Sequence, residues 1–343
     1  MSLGTYDTHD LVRVIETLTP DVSNYWSQFF PNAMNFDQEF IDFDLVDHTR
    51  RLAPFVSPLV QGKVQTDRGY SSKRFKPAYI KPKDVIDPSK IIKRRAGEPL
   101  MGSLSLQQRR DAKVAEILSE HRKMIDRRLE WMAARAIIDG SLTITGESYP
   151  TAVVAFQRNA NRTVVLTGTN LWTDTVNSDP LTNFETWLAL IQSSTGYIVN
   201  RATMGVTAWQ AFRVHPKVKD LLSTQIKGSA LSVDRDPLNG TVARKVGEVS
   251  GVEIYVYADV YDADDGTVTQ MLSQDTVVLT ASAGIEGVRC FGAIMDGAAG
   301  YQPLTYFPKT WVQEDPSAEY LMTQSAPLMV PLRADCTMKV KVV

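Results

Sequence analysis

Residues 50–95, RRLAPFVSPLVQGKVQTDRGYSSKRFKPAYIKPKDVIDPSKIIKRR, constrain the fold of this 343-residue chain more than any other stretch. Pro54, Pro58, Pro77, Pro82 and Pro88 recur too closely for a helix. Each removes a backbone donor and pushes the residue before it toward extended geometry. Strand-like pieces at Phe55–Val60 and Phe75–Ile80 flank a polar tip containing Gly69, which describes a long two-stranded arm. Such an arm cannot cover its own faces and must lie on something else. The pattern points to assembly rather than chemistry.

Charge sharpens that reading. Residues 1–49 hold one basic residue, Arg13, against nine acidic ones, a net of −8; residues 50–95 hold thirteen basic against three acidic, a net of +10. The whole chain nets only −2. Either these are two solvated faces of opposite sign, or the acidic arm and the basic loop meet, within or between subunits. The residues expected at a subunit interface are Arg68, Tyr70, Lys73, Arg74, Phe75 and Lys76 in the loop and Asp42, Asp44 and Asp47 in the arm. The alternative function is nucleic-acid binding by loop 61–76, which interleaves cations with aromatics as single-strand binders do. A sequence pI near 6.1 weighs against it.

Two packed domains with appendages suit this length. No run of 18 apolar residues offers a membrane span, and Asp7 and Asp10 occupy the place where a signal peptide needs positive charge. Thr8 is the expected N-cap of a short helix over 8–19, with Leu11, Val14, Ile15 and Leu18 on one face. From Tyr25 to Phe43 irregular aromatics and acids suit an arm packed on a neighbouring surface. Residues 96–105 read as a hinge.

The clearest single element is a helix over 106–139, closed by Gly140. Val114, Leu118, His121, Ile125, Leu129, Met132 and Ala136 form one apolar row, and ionisable residues cover the rest. At about 1.5 Å per residue it spans about 50 Å. Its narrow stripe predicts packing on a single sheet. A three-piece meander follows at Leu142–Thr145, Ala152–Gln157 and Thr163–Thr167. Thr182 and Glu185 read as a capping box opening a helix. A strand over Tyr197–Val206, a helix over Thr207–Val214 and another from Pro216 to Leu222 come next. A polar loop spans 227–240. Strands are expected at Val252–Val260, Thr276–Thr280 and Val288–Ile294, and an extended tail over 303–343.

Motifs of catalysis are missing, so no catalytic, metal-ligating or cofactor-binding residue is expected, and no cofactor. Asp262-Ala-Asp264-Asp265-Gly266 imitates a calcium loop, but its glycine comes one place early and Ser273 stands where a glutamate is needed; a hairpin turn between Tyr257 and Met271 is the better reading. Cys290 in VRCFGAI reads as packing rather than as a nucleophile served by His215, and Cys336 likewise reads as a small core residue. His121 reads as a satisfied, semi-buried histidine.

Three blocks, LAPFVSPLVQGKV, FKPAYIKPKDVIDP and YFPKTWVQEDPSAEYLMTQSAPLMVP, in this order and spacing, resemble the lambda-type major capsid protein family of tailed bacteriophages. The resemblance implies an α+β chain with the Hong Kong 97 capsid fold. Residues 1–49 would be the N-terminal arm and 50–98 an extended E-loop over a neighbouring subunit. Residues 99–175 and 301–331 would form a peripheral domain with the long spine helix, and 176–300 with 332–343 an axial α/β domain. It further implies self-assembly through pentamers and hexamers into an icosahedral shell, completed in the bacterial host cytoplasm. The implied partners are a separate scaffold protein, a portal and a trimeric cement protein, with packaged double-stranded DNA held without sequence-specific contact and no membrane.

Overall fold

A computed structural model of the chain describes residues 6–20, 23–38, 40–46, 52, 61, 70–75, 77–92, 104–146, 149–219, 242–263, 265–315 and 318–343. Helix α1 (Thr8–Thr17) starts one residue earlier than expected. Asp7, not Thr8, is its cap, because the Asp7 carboxylate accepts the His9 N–H at 3.2 Å. Leu11 and Ile15 are buried against Val114, Ile117 and Leu118, while Val14 stays on the open side.

Residues 25–43 do not wait for a neighbouring surface. Helix α2 (Tyr25–Phe29) and strand β1 (Asn32–Asn35) pack on their own chain, and Tyr25, Phe30 and Ile41 are fully buried there. These large side chains find an apolar seat within the molecule, so this part lies on its own subunit rather than on a neighbouring surface. Strands β2 (Ile41–Val46) and β3 (Tyr70–Phe75) pair antiparallel as a sheet of two. Of the expected Phe75–Ile80 strand, only Phe75 lies in β3, and Ile80 makes one bridge to Ser325. The Phe55–Val60 piece lies outside the described residues, as does loop 227–240.

After β4 (Lys83–Ile86) and α3 (Pro88–Ile92) comes α4 (Leu106–Asp139), with the expected bounds. Ser105 and Gln108 close a reciprocal capping box at its start, and Gly140 takes the left-handed conformation at its end, with φ 66°. Packing on a single sheet is overturned. Toward its C-terminal end, Ala133, Ala134, Ala136, Ile137 and Ile138 are all buried, an arc of about 200° that is far wider than one narrow stripe. Elements contacting α4 include α1, α2 and α3 as well as strands of several sheets. Its charged side is part of that burial, because Arg110, Asp126 and Glu130 are met by partners from elsewhere in the chain.

Strands β5 (Ser141–Gly146) and β6 (Tyr149–Ala155) form a hairpin, but β7 (Thr163–Val165) leaves the expected meander. A 3-10 turn at Ala160–Arg162 buries Arg162, the Asn159 N–H donates to Asp335 at 2.7 Å, and β7 pairs parallel with β18 (Thr337–Lys341). Helix α5 (Pro180–Thr195) is capped by Asp179, which accepts the Thr182 N–H at 3.2 Å, with Pro180 at the first position. That proline fixes the helix start upstream of the Thr182–Glu185 box.

Strands β8 (Arg201–Met204), β9 (Arg244–Val249), β10 (Val252–Val256) and β13 (Thr276–Thr280) complete a six-stranded mixed sheet with order β7-β18-β13-β8-β10-β9, and helix α6 (Val206–Val214) follows β8. The β11 (Val260–Asp262) and β12 (Val268–Gln270) hairpin occupies the imitated calcium loop, as expected. Strand β14 (Gly287–Phe291) takes β1 on one edge and β17 (Pro327–Pro331) on the other. Strands β15 (Phe307–Gln313) and β16 (Ala318–Gln324) form the third sheet, with β4 on the free edge of β16. The root of the basic loop is thereby built into one of the sheets that pack on α4.

Candidate assembly surfaces

The acidic arm and the basic loop meet within one chain, as the rungs of β2 and β3. Their register sets Asp42 opposite Arg74, Phe43 opposite Lys73, Asp44 opposite Ser72 and Val46 opposite Tyr70. Arg74 donates from Nε to Asp42 Oδ1 at 2.8 Å and from Nη2 to Oδ2 at 3.1 Å, the bidentate geometry that suits a guanidinium. That guanidinium holds the Asp42 carboxyl below the usual carboxylate range. The pair is exposed, with 67% of the Arg74 side chain and 45% of the Asp42 side chain open, and Arg74 also lies 5.7 Å over the Phe40 ring. Alternation puts Ile41 and Phe43 inward, and Phe43 packs 6.3 Å from Phe156. Phe75 packs against the same core. The ladder thus has an apolar underside seated on its own chain and a charged upper side. Of the residues expected at an interface, Asp42 and Arg74 are brought together, and Asp44, Tyr70 and Lys73 take part through their backbone. Arg68, Lys76 and Asp47 lie outside the described residues.

Beyond β3 the loop is clamped. The Tyr79 hydroxyl donates to Ala293 O at 2.6 Å, Ile80 and Ser325 exchange backbone hydrogen bonds, and the Thr323 N–H donates to Pro82 O at 3.1 Å. Between this root, α4 and the two hairpins lies a cleft of about 410 Å³ walled by Tyr79, Trp131 and Tyr261, with Lys81 and Arg128 beside them.

A second constellation was not legible in the sequence. Glu130 on α4 is 1% exposed, and its carboxylate faces the first turn of α2. Oε1 accepts the N–H groups of Asn24 at 3.0 Å and Tyr25 at 2.8 Å, and Oε2 accepts that of Trp26 at 3.0 Å. The Tyr257 hydroxyl adds a fourth donor at 3.2 Å. Burial pushes the Glu130 carboxyl above its ordinary range, and the backbone donors pull it back. From β8, Arg201 donates to Asn24 Oδ1 at 2.7 Å and to Gln28 Oε1, while its guanidinium stacks 3.7 Å from the Tyr255 ring. Asp259 is gripped by Arg127 at 2.8 and 2.9 Å. Glu130 shows no sequence signal, since it is one more charge on a charged helix and its partners stand over a hundred positions away.

The remaining chemistry is structural. His121, fully buried, bonds Thr323 Oγ1 through Nδ1 and Asp84 Oδ2 through Nε2, each at 3.0 Å. Arg110 grips Glu319 at 2.9 and 2.8 Å. Cys290 and Cys336 are unbridged and buried, and burial pushes their thiols up to about 12 and about 11. His215 bonds Ser178 at 3.1 Å. Asp265 accepts from the Thr267 N–H and hydroxyl and so holds its turn together. Among the described residues no three His, Cys, Asp or Glu side chains gather as metal ligands.

A long buried helix crossed by a three-stranded sheet, a mixed six-stranded sheet and a two-stranded ladder define a viral shell subunit of the Hong Kong 97 type. The profile of the phage major capsid protein E family matches residues 7–342, and the chain belongs to that family. It is similar to the major capsid protein of Escherichia phage N15, 30% identical over 99% of each chain. It is also similar to that of Escherichia phage lambda, 29% identical over 88% of this chain and 89% of the other. A crystal structure from a prophage of Escherichia coli CFT073, provisionally described as its capsid protein, superposes with a TM-score of 0.76. It is 26% identical and covers 99% of this chain and 100% of that one. The mature capsid subunit of bacteriophage PhiM1, 11% identical with a TM-score of 0.50, shares the fold over 99% of this chain and 90% of that one. The protein is a shell-forming major capsid protein of tailed phages, and its place is the virion capsid.

Proposed function

We propose that the protein closes an icosahedral shell around a double-stranded DNA genome through pentamers and hexamers, without catalysing any reaction. Residues 50–98 reach over the adjoining subunit as an E-loop, with 1–49 as arm. Residues 99–175 and 301–331 form the peripheral body, and 176–300 with 332–343 the axial one. Arg68, Tyr70, Lys73, Arg74 and Lys76 face the neighbour, with Asp42, Asp44 and Asp47 beside them, while Phe75 seats the ladder on its own chain. A separate scaffold protein, a portal and a trimeric cement protein complete assembly in the host cytoplasm, and the DNA is enclosed without sequence-specific contact.

The observation that carries this reading is the β2–β3 ladder. It pairs with no third strand among the described residues, is seated by one face only, and carries the basic loop between its two outer ends. Exposed strand edges of this kind call for cover.

Deletion of 61–76 behind a short Gly/Ser linker tests it. The expected product is folded protein, by circular dichroism and size-exclusion chromatography, that yields no closed shells on electron micrographs. Normal shells with lost affinity for single-stranded DNA would favour the nucleic-acid-binding alternative instead.

A further inference from the structure

The contacts of residues 23–30 with the rest of the chain are unusual in kind. Tyr25, Phe29 and Phe30 are buried as deeply as any side chain in the core, and Trp26 is half-buried beside them. Yet their polar groups are only partly served. Three successive backbone N–H groups depend on one carboxylate, Glu130 of α4. Two side-chain oxygens depend on one guanidinium, Arg201 of β8. Around them the Asn24 amide nitrogen, the Trp26 indole N–H and Arg289 Nε are buried without a hydrogen-bond partner. Arg289 lies 5.0 Å over the Trp26 ring and donates to Pro31 O at 3.0 Å, so these donors stand along one segment, although other unpartnered buried atoms lie elsewhere, at Arg162, Trp172 and Ser325 among them. Unpaired buried donors offset much of what apolar burial contributes.

The segment also spans a junction. Glu130 belongs to the long helix, Arg201 and Tyr257 to the six-stranded sheet and its continuation, and Gly287 to β14. A Cβ at Gly287 would stand 2.2 Å from Phe29 O and 2.7 Å from the Phe30 ring, so the arm passes as close as a glycine permits. Tyr25 and Tyr257 meet edge to face at 5.3 Å across the same seam.

We propose that residues 23–30 form a releasable clasp across the seam between α4 and the six-stranded sheet, locked by Glu130 and Arg201, which opens before either element that it joins. Opening frees the arm from its own subunit without unfolding the core. The junction it leaves behind is less tightly bound, and one chain gains a second stable arrangement.

Hydrogen exchange of the full-length protein, read peptide by peptide by mass spectrometry, tests the clasp. In the wild type, amides in 24–30, where Asn24, Tyr25, Phe29 and Phe30 are as buried as β8 and β13, should exchange at least tenfold faster than those of the two strands. Glu130→Ala should speed 24–30 at least a further tenfold and leave β8, β13 and the centre of α4 unchanged. Gly287→Ala, which pushes on the arm from its other end, should do the same. Exchange of 24–30 in step with β8 and β13, or a Glu130→Ala effect spread evenly over the chain, would overturn the proposal. So would insolubility of both variants, because the segment would then be an integral part of the core. The readout concerns the isolated subunit and holds whether or not the loop reaches a neighbour.

Discussion

His121 shows how one side chain couples distant parts of this fold to pH. It stands on α4 and bridges Asp84 of β4 and Thr323 of β16, so the loop root, the long helix and the tail meet at one ring. Burial holds its imidazole below the ordinary range, and the facing carboxylates of Asp84 and Glu120 only partly oppose that. An unfolded histidine titrates near about 6.5. As pH falls below that value the unfolded chain takes up a proton that the native ring still declines. Native stability is therefore complete above this window and is lost as pH falls toward the native pKa. Burial shifts His215, beside Ser178 and Lys217, in the same direction. Thermal melts of wild type and His121→Gln at pH 7.5 and 5.5 should show a smaller acid-side loss in the variant. Equal losses would remove the imidazole from the account.

At the scale of elements, the long helix combines what local chemistry can announce with what it cannot. Its end is local. Gly140 adopts φ 66°, and Arg158 donates from Nη1 to the carbonyls of Ile137 at 3.1 Å and Ile138 at 2.8 Å, serving two carbonyls in the last turn of α4. A methyl at Gly140 meets the left-handed penalty of roughly 1–2 kcal/mol. It would also sit 2.7 Å from Arg158 Nε and disturb that second cap. Gly140→Ala should lower the unfolding free energy from denaturant melts by at least that much without changing the fold; an unchanged value would mean that the turn relaxes freely. Helix bounds, the Gly140 stop, strand β13 and the β11–β12 hairpin were legible because periodicity and turn residues act over a few positions. The many-sided burial of α4, the departure of β7 to another sheet and the seat of residues 25–43 were not. They depend on partners such as β18 and β14, which lie far along the chain and leave no mark on the segments that they receive. The same distance hid Glu130, whereas Asp42 and Arg74 were visible through the segregation of charge.

For the whole molecule, that segregation predicts a salt-dependent assembly rather than a strong single contact. An exposed ion pair contributes little by itself, so Arg74→Ala alone should assemble normally. Many identical interfaces acting together are another matter. Changing Lys73, Arg74 and Lys76 together to Glu should slow shell formation in light scattering at low ionic strength, and reversing Asp42, Asp44 and Asp47 as well should restore the part that comes from repulsion within the chain's own ladder. Near 1 M salt, where screening falls to about 3 Å, the difference should vanish. An unchanged rate for the loop reversal at low salt would count against electrostatic docking. The ladder has a mechanical consequence too. Both of its strands leave the body side by side, one continuing from β1 on β14, the other returning to β4 on β16. If a neighbour holds the loop, tension at its tip divides between two anchorages in different sheets, as the load on a bracket divides between its legs. A pull on the loop is then borne in parallel by both sheets, and loss of one footing still leaves the other attached.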